Sequence, residues 1–301
     1  MPITKLDQMF DFLKSRPKKR LVAAYANDAH TISAVHTAIN MGIVDGILTG
    51  DEALINKTCT ELGINPADFT IIHEPNPQKA AAKAVSLIND GSGDFLMKGL
   101  ISTDIYMKAM LNKETGLLDP GAILSHVTVI EPTTYHKLLI IGDVAIIPLP
   151  DLKQKIAITN YLIKTAHFLG IEMPKLGILA ASEQTLPKIP SCYDAALISK
   201  MAERGQIRGA MVEGPLGFDL LVDKESAEIK GVKSEVCGDV DCILFPNIEC
   251  GNTFYKTMTK LMKAELGAIV MGARVPAVLS SRGDSEKSKL YSIALAAMLV
   301  Q

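Results

Sequence analysis

The sequence predicts an α/β protein with largely parallel sheet, arranged in two lobes. Three observations carry this reading. Apolar, β-rich runs alternate with helical spacing from one end of the chain to the other. Most of those runs are apolar throughout, as suits strands covered on both faces. The alternation is also interrupted twice, around residues 130–150 and again at 272–274.

Taken in order, residues 1–20 carry Leu6, Met9, Phe10 and Leu13 between charges, which predicts an amphipathic surface helix and no secretory segment. Strands are expected at Leu21–Ala26, Gly46–Thr49, Phe69–His73 and Phe95–Met97, then at Val127–Ile130 and Leu138–Ile141. Five more follow at Leu176–Ala180, Ala210–Val212, Cys242–Phe245, Ala268–Met271 and Val275–Leu279. Between them Thr31–Met41, Lys79–Asn89, Gln154–Leu169, Ala195–Arg204 and Thr253–Met262 have helical spacing. Two strands in succession joined by Glu131-Pro132-Thr133-Thr134-Tyr135 read as a crossing point. The Gly272-Ala273-Arg274 turn reads as a return. The expected domains are therefore 1–129 with 270–301, and 130–269, with the binding site in the cleft between them.

Composition narrows the function. A chain of 301 residues that is 48% apolar can fill real cores. With 21% charged residues, a net charge of −2 and no basic block beyond Lys18-Lys19-Arg20, a nucleic-acid partner is excluded and small molecules are expected. The longest apolar run, Ile293 to Val300, is well short of the roughly 18 residues that span a bilayer, so no membrane partner and a cytoplasmic location are expected. Five scattered cysteines (Cys59, Cys192, Cys237, Cys242, Cys250) form no CxxC pair and read as packing thiols. Six histidines show no metal-binding spacing, and only His126, beside Ser125 at a strand start, falls near the expected cleft. Dinucleotide, P-loop and nucleophile-elbow motifs are missing.

Several strand ends carry glycine beside polar residues, where ligands of open α/β sheets bind. They are Lys98-Gly99-Leu100-Ile101-Ser102-Thr103-Asp104, Glu213-Gly214-Pro215-Leu216-Gly217-Phe218-Asp219 and Asn247-Ile248-Glu249-Cys250-Gly251-Asn252. The segment Leu279-Ser280-Ser281-Arg282-Gly283-Asp284-Ser285-Glu286-Lys287-Ser288-Lys289 says most. A strand that stops at Ser-Arg-Gly and then starts a helix offers hydroxyls, a guanidinium, a carboxylate and free N–H groups at one point, which is equipment for an anion.

These residues resemble the phosphate acetyl/butyryltransferase family, and its butyryl branch most. Pro246-Asn247, Glu249, Gly251-Asn252 and Tyr255-Lys256 match the family's signature. Met97-Lys98-Gly99, Leu124-Ser125-His126-Val127, Ala195-Ala196-Leu197, Arg204-Gly205-Gln206-Ile207, Glu213-Gly214-Pro215-Leu216 and Ser281-Arg282-Gly283-Asp284-Ser285 follow in the same order over nearly the whole chain. The resemblance implies a fold of the isocitrate-dehydrogenase-like type and a homodimer or higher homo-oligomer. It also implies reversible transfer of a short acyl group, most closely butyryl, between CoA and phosphate. CoA would be a co-substrate, with no permanently bound cofactor and no metal. Acyl transfer between a thiol and phosphate needs a cation for the phosphate, a base for the thiol and a donor to the carbonyl oxygen, which the residues above can supply.

Carried over position by position, Ser281 lies near the reacting thiol and carbonyl, and Arg282 steadies phosphate or the developing oxyanion. The acetyl branch's catalytic aspartate falls at Ser288 here, so Asp284 is the nearest carboxylate for the base, with Glu286 next; a plain helix cap is the other reading of Asp284. Further substrate contacts are expected from Lys98, Ser125, His126, Glu213, Asn247, Glu249, Asn252 and Ser288. Where the butyryl branch has Arg-Thr-Gly, this chain has Leu118-Asp119-Pro120-Gly121, and Lys98 or Lys108 would have to replace that arginine. Phosphate acetyltransferase, an NAD-dependent dehydrogenase and a non-catalytic CoA-binding protein are the alternatives. The dehydrogenase lacks both a cofactor loop and a carboxylate cluster in this sequence.

Overall fold

The computed structural model describes residues 2–279 and 285–300. Ser281, Arg282 and Asp284 lie outside the described residues. Contacts divide the chain into two compact units, a terminal unit of Leu6–Leu124 with the chain from Gly267 onward, and a middle unit of Ser125–Leu266 with the residues up to Lys5.

In the terminal unit, α1 (Gln8–Lys14) buries Met9, Phe10 and Leu13. The strand β1 (Lys19–Ala24) is fully buried from Leu21 on. Side chains set the helix starts. Asp28 accepts the Thr31 N–H to begin α2 (Ala29–Asn40), and after β2 (Val44–Gly50) Asp51 does the same for α3 (Glu52–Leu62). That helix stops at Gly63, whose φ of 67° suits a residue without Cβ. β3 (Thr70–His73) leads to α4 (Pro77–Asn89), with Asn76 as cap and proline in its first turn. β4 (Phe95–Lys98) and α5 (Thr103–Met110), capped by Ser102, complete this stretch. At the base of the sheet, Arg20 Nη2 is 2.6 Å from Asp94 Oδ1 and Nε 3.1 Å from Oδ2, tying the start of β1 to that of β4.

The middle unit opens with β5 (Ser125–Glu131) and β6 (Leu139–Gly142), which pair antiparallel with Thr128 opposite Ile141. This pair is the predicted interruption of the βα alternation. α6 (Leu152–Phe168) begins with a capping box of Asp151 and Gln154. β7 (Lys175–Leu179), α7 (Pro190–Glu203), β8 (Met211–Leu216), α8 (Phe218–Val222), α9 (Lys224–Ile229) and β9 (Cys242–Leu244) follow. α10 (Ile248–Lys256) then loosens into a π turn over Thr257–Leu261. The strands order as β5-β6-β9-β7-β8, parallel from β6 through β8.

Back in the terminal unit, β10 (Glu265–Met271) pairs antiparallel with β11 (Ala277–Val278), which runs parallel to β4. The order there is β3-β2-β1-β4-β11-β10. α11 (Glu286–Leu299) starts on Ser285 and is buried without a break from Tyr291 to Leu299. It lies close against β10, where a Cβ on Gly267 would sit 2.8 Å from the Tyr291 backbone and the Ala268 N–H donates to Ser292 Oγ at 2.9 Å.

All eleven expected strands are present. β11 keeps only two of the five residues expected for it, because Val275 and Pro276 belong to the connection from β10 and the pairing with β10 and β4 ends at Val278. α7 and α10 each begin five residues ahead of the periodic segment, at Pro190 and at the residue after the cap Asn247.

Candidate functional site

The carboxyl end of the terminal unit's sheet is shaped by one close approach. Lys98 ends β4, Gly99 N–H donates to Ala24 O at 3.0 Å and Leu100 N–H to Tyr25 O at 2.8 Å. A Cβ on Gly99 would lie 2.4 Å from Tyr25 O, so only glycine lets this loop close against the end of β1. Tyr25 itself is held at φ 60°, a conformation that costs a non-glycine residue energy and marks a constrained turn. Here a recess of about 400 Å3 opens, bounded by Asp28, His30, Lys98, Leu100, Ile101 and Lys289 among others.

Two cations therefore share this recess, Lys98 from β4 and Lys289 from α11. The Asp28 carboxylate, which also borders the recess, accepts Thr31 N–H at 3.0 Å and the Thr31 hydroxyl at 2.6 Å, so its charge is engaged at the start of α2. Val278 pairs with Met97, so the chain leaves β11 on the same edge where Lys98 stands. It is described again from Ser285, whose hydroxyl accepts Ser288 N–H and lies 3.0 Å from Ser288 Oγ. Ser288 is thus part of the cap of α11 and is buried. Lys108 is exposed on α5 and does not border the recess. Asp119 is 3.4 Å from Arg274 Nη1, an arginine that also donates to Gly116 O and Asn89 Oδ1 and so pins the 116–119 segment.

In the middle unit a second group forms around Asp143, buried at the carboxyl end of β6. Its carboxylate accepts the Ser125 hydroxyl at 3.0 Å and His126 N–H at 3.1 Å, because the start of β5 lies opposite the end of β6. It also accepts the Ala145 and Ile146 N–H groups at 2.7 and 2.9 Å. His126 is buried, with Nδ1 3.2 Å from Thr128 Oγ1. Asn252 Nδ2 donates to Val144 O at 3.0 Å, and a Cβ on Gly251 would come 2.3 Å from Asp143 O. Asn247 caps α10 by accepting Cys250 N–H at 3.0 Å. Ser125, His126, Asn247 and Asn252 thus meet through one loop and one helix start. Glu213 stands apart in the middle of β8, half-buried, accepting Gly214 N–H at 3.0 Å.

Glu249 and Cys250 are both exposed at the edge of a cavity of about 780 Å3 lined by Phe218, Phe245, Phe254 and Met258. Four of the five cysteines are buried as expected, but Cys250 is not a packing thiol, because it occupies the outer face of the first turn of α10. Desolvation and the charge of Glu249 push its pKa up, leaving it protonated at neutral pH and a poor nucleophile. Among the described residues no three His, Cys, Asp or Glu side chains converge as a metal site. Asp143 was missed in the sequence, and Lys289 was singled out only as the end of the 279–289 segment, without a role of its own. Asp143 follows an apolar strand and a glycine, like the other strand-end loops, and could have been found by that rule.

Comparison with known proteins decides the family. A family model described as phosphate acetyl/butaryl transferase matches residues 67–297. The chain belongs to this family. It is 44% identical to the phosphate butyryltransferase of Clostridium acetobutylicum over 99% of this chain and 98% of that one. It is 38% identical to the phosphate acetyltransferase of Thermotoga maritima over 97% of this chain and 99% of that one. Among solved structures, a branched-chain phosphotransacylase from Enterococcus faecalis superposes with a TM-score of 0.82 at 29% identity, covering 94% of this chain and 99% of its own. The family's signature residues therefore do structural work here as well, since Asn247, Gly251 and Asn252 build the start of α10 and its seat on the Asp143 loop.

Proposed function

We propose that the chain catalyses reversible transfer of a short acyl group between CoA and inorganic phosphate, with butyryl preferred. A phosphate oxygen attacks the thioester carbonyl carbon, the C–S bond breaks, and CoA leaves as a thiolate that takes up a proton; the products are acyl phosphate and CoA. The reverse reaction removes that proton from the CoA thiol and expels phosphate. Attack is direct, with no acyl-enzyme. In the described structure the high pKa of Cys250 favours this reading, since that exposed thiol is held protonated.

The roles follow the chemistry. Arg282 holds phosphate and the charge that develops on the carbonyl oxygen, Ser281 donates to the reacting centre, and Asp284 handles the thiol proton. Lys98 and Lys289 supply further positive charge for the phosphate. The register of β11 with β4 supports grouping these residues, because the 280–284 segment follows the strand end that stands beside Lys98. The same reading has the enzyme work in the cytoplasm as a homodimer or higher homo-oligomer, with acyl-CoA, CoA and phosphate as its partners and no permanently bound cofactor.

The observation that carries the proposal is 44% identity over nearly the whole chain to a phosphate butyryltransferase. Acetyl transfer is the second reading, favoured by the 38% identity to a phosphate acetyltransferase. An acyl-CoA panel from acetyl to hexanoyl, with CoA release followed on adding phosphate, tests both. Butyryl-CoA is expected to exceed acetyl-CoA in kcat/KM, each methylene contributing about 1 kcal/mol or more. A clear acetyl preference would replace the first reading with the second. Cys250→Ala should retain phosphate-dependent release, and its loss would contradict direct attack.

A further inference from the structure

We infer that Leu100 sets acyl-chain preference by offering the apolar surface against which the substrate's hydrocarbon tail lies. This rests on the acyl-transfer reading above. Among the described residues Leu100 is the most exposed large apolar side chain of the terminal unit, at 55%. Its exposure does not come from a loose loop. The Leu100 N–H is bonded to Tyr25 O at 2.8 Å, Ile101 N–H to Gly99 O at 2.9 Å, and Gly99 is packed against the end of β1.

The fold thus holds an isobutyl group in the open, inside the recess and three positions along from Met97, with Lys98 at the end of β4 and Gly99 between them. Met97 and Ile101 also border the recess but are nearly fully buried, so Leu100 is the one exposed apolar side chain of its wall among the described residues. A short acyl phosphate or acyl thioester has the matching polarity. Its reacting end is anionic during transfer and suits Lys98 and Lys289. Its tail is a few methylenes long and gains by covering apolar surface. An acetyl group has a single methyl and reaches little of that wall, whereas a butyryl group has two more carbons to lay on it. Discrimination by a methylene in an apolar pocket is roughly tenfold or more, which is the size of effect one leucine can control.

The test is the ratio of kcat/KM for butyryl-CoA to that for acetyl-CoA in the wild type, Leu100→Ala and Leu100→Met. Leu100→Ala should lower the ratio by roughly tenfold, and Leu100→Met, which restores the volume and apolarity, should recover most of it. The melting temperature should hold in both, because the side chain is exposed. A merely structural role would shift melting temperature and both substrates together, leaving the ratio where it was. An active wild type whose ratio is unchanged in Leu100→Ala overturns this inference alone. A wild type that releases no CoA from any acyl-CoA on phosphate addition overturns the acyl-transfer reading and this inference with it.

Discussion

Lys98 stands where an apolar strand ends and a glycine must follow, and its position was legible because both features are written in the sequence. Replacing it with methionine removes one charge from the recess while keeping the stem. The KM for phosphate should rise by roughly 10- to 100-fold, as for loss of a hydrogen bond to a charged group. Arg282→Lys keeps the charge but loses the planar fork, and kcat/KM should fall roughly 10²-fold with little change in melting temperature. Ser285 caps α11, so the cap reading of Asp284 falls away and Asp284→Asn tests the base alone: a large loss of kcat in the direction that deprotonates CoA identifies Asp284 as the base, and normal kinetics remove it from that role. Legibility was poorer for Asn247 and Asn252. Asparagine suits both ligand contact and helix capping, and only the coordinates reveal that their side chains are bonded to Cys250 N–H and Val144 O.

At the level of elements, the strands were legible because their apolar runs are buried on both faces, as the uninterrupted burial of β6 and β9 illustrates. The helices α3 and α5 were not, for a physical reason. α3 buries only Ile55 and Cys59, and α5 only Tyr106 and Met110, so neither has a stripe wide enough to show in the sequence. The seat of α10 is the element most open to test. Gly251→Ala would place a methyl 2.3 Å from Asp143 O, against backbone that cannot give way. A loss of about 1–3 kcal/mol in urea unfolding is expected, the usual range for overpacking. Asp143→Asn gives up a charged acceptor shared by Ser125, His126, Ala145 and Ile146, and should cost about 3 kcal/mol as a buried polar network broken on one side. Both variants should also lose activity if the loop they hold carries substrate contacts.

The two-lobe reading of the whole molecule came from two interruptions, and each has a structural cause: the antiparallel β5–β6 pair and the short connection from β10 to β11. What the sequence could not reveal is the charge network of the middle unit. Burial works against ionised Asp239, but hydrogen bonds from Lys137, Lys175 and His136 outweigh it and hold the carboxyl below its usual range. A carboxylate with a lowered folded-state pKa stabilises the fold above its unfolded pKa of about 3.9, and that stability is lost as pH falls through the folded value. Urea midpoints should therefore be flat between about pH 7 and 5 and decline below about pH 4. Asp239→Asn should lose about 1–2 kcal/mol at neutral pH, a modest figure because the carboxylate is partly exposed to screening solvent, and should show a shallower acid decline. The central claim is that phosphate receives the acyl group. Trapping the product of butyryl-CoA and phosphate with hydroxylamine, alongside a count of released CoA, tests it most directly. Transfer to phosphate predicts, above the enzyme-free background, one butyryl hydroxamate formed from butyryl phosphate for each CoA released, and no enzymatic release without phosphate. CoA release accompanied by free butyrate, with no acyl phosphate to trap, would contradict it.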